Sequence, residues 1–139
     1  MLNFSAMVEH NHTKLTSAVF VTFPGNCKKA LTFYQTCFGG TLQFETFEEA
    51  LQGFVEMPVV SGSLISDRVI IHGSDLVHDE GRKLGNYMSI FLHCKNTYDR
   101  KGLIEKLESD QANRFAKNYD EQTLIEVTDA FDVRWVLGV

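Results

Sequence analysis

The chain has 139 residues, a formal net charge of −5 and 44% hydrophobic residues, among them 11 phenylalanines. That is the size of one domain with a real core. The acidic balance, with no basic stripe beyond Lys28-Lys29, argues against nucleic acid or an anionic membrane as partner. No apolar run approaches the ~20 residues that span a bilayer. The first residues, MLNFSAMVEHNHTKLTS, lack the basic start and apolar stretch of a secretory signal, so a cytoplasmic protein is expected.

Residues 1–15 are polar and aperiodic and are expected to form a flexible tail; His10 and His12 there are read as solvated rather than metal-binding. Ala18–Phe23 reads as a strand. Cys27, Ala30, Leu31, Tyr34, Cys37 and Phe38 then fall on one stripe of a helix, with Asn26 as its expected N-cap and Gly39-Gly40 as its stop. Lys28 and Lys29 oppose the helix dipole and are either solvated or placed to assist an anion. Thr41–Phe47 alternates as a half-buried strand does, Glu48–Pro58 reads as a loop, and Val59–Ser66 and Arg68–Ser74 read as strands about a turn at Ser66-Asp67. Leu76–Gly85 is polar and marks a linker, where His78 and Asp79 are read as a solvated pair.

The pattern then repeats. Tyr87–Cys94 is a strand, and Thr97–Glu108 a helix with Leu103, Ile104 and Leu107 on one face. Ala112–Phe115, Thr123–Val127 and Val133–Leu137 are expected strands. Two βαβββ modules result, at about 17–75 and about 86–139, within one domain over 16–139. Each has roughly 60 residues and is marginal alone, so the copies are expected to pack together or against a second chain. A ferredoxin-like sandwich uses similar elements in a different order. The odd count of three cysteines, Cys27, Cys37 and Cys94, favours free thiols.

The repeat, with Phe23–Cys27 running to Phe33–Gly40, Gly85–Leu92 and Val127–Leu137, resembles the vicinal oxygen chelate superfamily and within it the PhnB-like branch. In that branch Gly usually stands where this chain has Asp132. The resemblance implies an α+β fold in which a curved eight-stranded mixed sheet surrounds a cavity, glyoxalase-like, with a homodimer completing it. It also implies a divalent metal held by His and Glu on the first and last strands of each module. In this chain those slots fall near Ala18 or Val19, His72, Ser89 and Val136, with His72 aligned opposite Val136 by internal repetition. His93 and Glu126 are the nearest other donors. One imidazole does not hold a catalytic divalent ion, so no metal and no other cofactor is predicted.

The expected cavity wall is His72, Ser89, Phe91, His93 and Trp135, with Asp75 expected to fix a turn. No G-x-S-x-G elbow and no phosphate-cradling or dinucleotide glycine motif is present. Some relatives carry the label demethylubiquinone methyltransferase, and nothing here supplies the nucleotide-type site that label requires. Two functions follow as expectations: metal-independent binding of a small organic ligand in a dimeric cavity, or a small-molecule enzyme of isomerase or lyase type with His72 as acid–base group. A dimer whose cavity its own side chains fill is a third.

Overall fold

The computed structural model describes residues 17–47, 58–75, 82–108 and 122–139. The chain divides into two compact units, Met1–Lys83 and Leu84–Val139. The expected tail, the 48–57 loop, most of the linker with His78 and Asp79, and the strand expected at 112–115 lie outside the described residues.

In the first unit β1 (Val19–Phe23) leads to helix α1 (Cys27–Phe38), then to β2 (Thr41–Thr46), β3 (Val59–Ile65) and β4 (Ile70–Asp75). The sheet order is β1-β4-β3-β2, with β1 parallel to β4 and the other pairs antiparallel. Cys27, Ala30, Leu31, Tyr34 and Cys37 are the buried stripe of α1. The glycines show how closely the helix approaches the sheet. A Cβ on Gly62 would lie 3.1 Å from Leu31 Cδ1, and one on Gly73 would lie 3.3 Å from Cys27 Sγ. Gly40, at φ +99, ends the helix segment where a Cβ would sit 2.3 Å from the carbonyl oxygen of Ile65.

The expected N-cap position of Asn26 is found in the structure, yet its side chain makes no capping hydrogen bond. Asp75, at the end of β4, does that work. Its Oδ1 accepts from the backbone N–H of Gly25 (3.0 Å) and of Cys27 (2.9 Å), and its Oδ2 accepts from Val59 N–H (2.8 Å). A carboxylate from fifty residues away outcompetes the local amide because its charge also favours the positive helix end. The anion at this helix start is therefore the protein's own. β4 starts at Ile70 rather than at Arg68 because residues 66–69 close a tight turn. Ser66 Oγ donates to Val69 O and accepts from the N–H groups of Arg68 and Val69.

In the second unit β5 (Ile90–His93) leads to α2 (Thr97–Leu107), β6 (Leu124–Thr128) and β7 (Arg134–Gly138), with sheet order β5-β7-β6 and β5 parallel to β7. β5 is shorter than the expected Tyr87–Cys94, because its partner β7 pairs with it only from Trp135 to Gly138. α2 is capped by two side chains: Asn96 Oδ1 accepts from Asp99 N–H, and Asp99 Oδ2 accepts from the N–H of Lys95, one residue before the cap. Its buried face is Arg100, Leu103, Ile104 and Leu107, and Arg100 reaches the carbonyl of Thr123. The turn before β7 closes around Asp129, whose Oδ1 accepts from Phe131 and Val133 N–H and whose Oδ2 accepts from Trp135 Nε1. Asp132 sits at φ 66, in the left-handed region.

Each unit thus pairs its first strand parallel with its last, and the last strand pairs on its other edge with an antiparallel neighbour. The described residues hold seven strands in two sheets, not the single eight-stranded sheet expected. All three cysteines are free and buried. No helix among the described residues is long and apolar enough to cross a membrane.

Candidate functional site

Strand alternation divides each sheet into two faces. In the first unit, Val21, Gly62, Leu64, Ile71 and Gly73 face α1, as the Gly62 and Gly73 contacts fix. The second face takes the alternate residues. Register places Phe20, His72, Ser63 and Gln43 in one row across the four strands. Thr22 pairs with Ser74, and Ser61 with Glu45, in the next.

This second face is polar and yet buried at its centre. Ser61 is 7% exposed, Ser63 0% and His72 7%. Ser61 Oγ has no hydrogen-bond partner. A buried hydroxyl without a partner costs about 1–3 kcal/mol. Sequence reasoning found His72 and missed the serines, although their alternation in VVSGSLI carries the signal once β3 is placed beside β4.

The electrostatics of this face are one-sided. None of the four strands, VFVTF, TLQFET, VVSGSLI and IIHGSD, contains a Lys or Arg. Their two carboxylates are Glu45 on the second face and Asp75 at the helix start. Burial lowers the pKa of His72 from its ordinary value, so the imidazole is neutral at neutral pH. On the opposite face, burial and then the Asp75 carboxylate push the Cys27 thiol up to about 12, so it is neither a nucleophile nor a ligand in the native state.

The second unit presents a different surface. Phe91 and His93 alternate on exposed β5, and Ser89 is exposed just before that strand. Phe91 pairs with Val136, and Val136 with Glu126. The Phe91 ring lies over Gly138, where a Cβ would be 3.0 Å from its edge and 3.2 Å from Leu124 Cδ2. Arg134 and Glu126 form an ion pair on the same face. Trp135 is not there. It is 0% exposed and takes the opposite phase with Leu137, its indole N–H held by Asp129. Trp135 is thus buried among the core residues with its polar edge satisfied. His72 lies in the first unit, apart in sequence and in sheet from Ser89, Phe91 and His93.

Register also tests the donor set. Phe20 pairs with His72 in the first unit and Phe91 with Val136 in the second, so His72 and Val136 occupy equivalent slots. The neighbours of His72 across its two flanking strands are Phe20 and Ser63, and those of Val136 are Phe91 and Glu126. No group of three His, Cys, Asp or Glu able to hold a metal ion occurs among the described residues. Of the slots named from the sequence, His72 alone carries an imidazole or a carboxylate.

No family model matches the chain, and no curated protein matches it. Solved structures do. A protein named PA1353 from Pseudomonas aeruginosa is 18% identical, with a TM-score of 0.69 over 90% of this chain and 97% of that one. A PhnB protein from Bacillus cereus is also 18% identical, with a TM-score of 0.69 over 89% and 98%. A fosfomycin resistance protein, FosX, from Listeria monocytogenes, complexed with Mn(II) and 1S,2S-dihydroxypropylphosphonic acid, is 11% identical, with a TM-score of 0.55 over 91% and 93%. These neighbours are PhnB-like and FosX proteins of the vicinal oxygen chelate superfamily, and the chain shares their mixed α+β, glyoxalase-like fold.

Proposed function

We propose that this chain, with the fold of the vicinal oxygen chelate proteins, is a cytoplasmic, metal-independent binder of a small organic molecule in a cavity completed by a homodimer. The observation that supports this reading is the buried polar face of the first sheet, with Ser61, Ser63 and His72 at its centre. An apolar face would cost less to bury, so the Ser61 hydroxyl, buried with no partner, is accounted for by a solute that satisfies it. A lone imidazole flanked by Phe20 and Ser63 supports independence from metal. Exposed Phe91, Leu124, Tyr87 and Met88 support a surface for a second copy.

Elemental analysis and native mass spectrometry of the purified protein test the reading. The expected result is a dimer free of bound transition metal. Stoichiometric zinc, nickel, manganese or iron overturns it.

A second reading is an enzyme of isomerase or lyase type with His72 as acid–base group. The lowered pKa supports it, because a neutral imidazole can accept a proton at neutral pH. With an identified substrate, His72→Ala then loses about a hundredfold or more in turnover. Full turnover in that variant removes the proposed catalyst.

A further inference from the structure

We draw no further inference here: the strongest candidate, the open face of the second sheet on which Phe91 and Leu124 flank Gly138 and stand exposed, carries nothing because nothing in the structure shows what covers it.

Discussion

Asp75 offers the most direct test of how the first unit is held together. One carboxylate, 6% exposed, accepts from three backbone N–H groups on the helix start and on β3. Hydrogen bonds to a charged group are worth about 1.5–3 kcal/mol each. Asp75→Asn keeps one oxygen for Gly25 and Cys27 but turns an amide NH₂ toward the N–H of Val59, 2.8 Å away. That single mismatch is expected to cost about 1.5–3 kcal/mol. Asp75→Ala strands all three donors, for a loss of about 4.5–9 kcal/mol before relaxation. Against a total stability of about 5–15 kcal/mol, the alanine variant sits at the edge of folding. Urea unfolding followed by far-UV circular dichroism measures both. An Asp75→Asn variant within about 0.5 kcal/mol of the parent refutes the capping role, because ordinary surface changes fall in that range.

Gly102 lies in α2 with open space where a Cβ would go, so Gly102→Ala is expected to stabilise by up to about 1 kcal/mol in the same assay. Gly40→Ala is expected to do the reverse, by more than about 1 kcal/mol, since its new Cβ meets the Ile65 carbonyl at a positive φ. The lowered pKa of His72 makes the folded state bind its proton more weakly than the unfolded chain. Stability is then full above the unfolded value of 6.5 and is lost as pH falls through that value to the folded one. His72→Gln, compared with the parent in urea melts across mildly acid pH, is expected to flatten that fall, and an unchanged slope refutes it. Asp129→Ala frees the indole N–H of Trp135 and opens the turn before β7. A blue or red shift of Trp135 fluorescence together with a drop in Tm is expected; parent-like emission and melting argue against the turn being organised this way.

Much of the fold was legible because it is written in local periodicity. The stripe from Cys27 to Cys37 and the face of Leu103, Ile104 and Leu107 need only helical spacing, and both are buried as that spacing requires. What was not legible depends on partners far along the chain. Nothing near Asn26 announces that a carboxylate from β4 will take its capping role. Nothing before β5 announces that its pairing stops where β7 begins. The hold of Asp129 on the Trp135 indole shows only in the folded turn. The serines of β3 gained meaning only when register set them beside His72 and a glycine contact showed which face looks away from the helix.

A duplicated fold offers every slot twice, and the pairing of Phe20 with His72 and of Phe91 with Val136 shows one slot filled in two ways. The repeated phenylalanine marks the shared geometry, while an imidazole in one copy and an isopropyl group in the other divide the labour. Substitutions at Val136 therefore change packing, whereas those at His72 also remove a titratable group, so the two halves can drift under separate constraints.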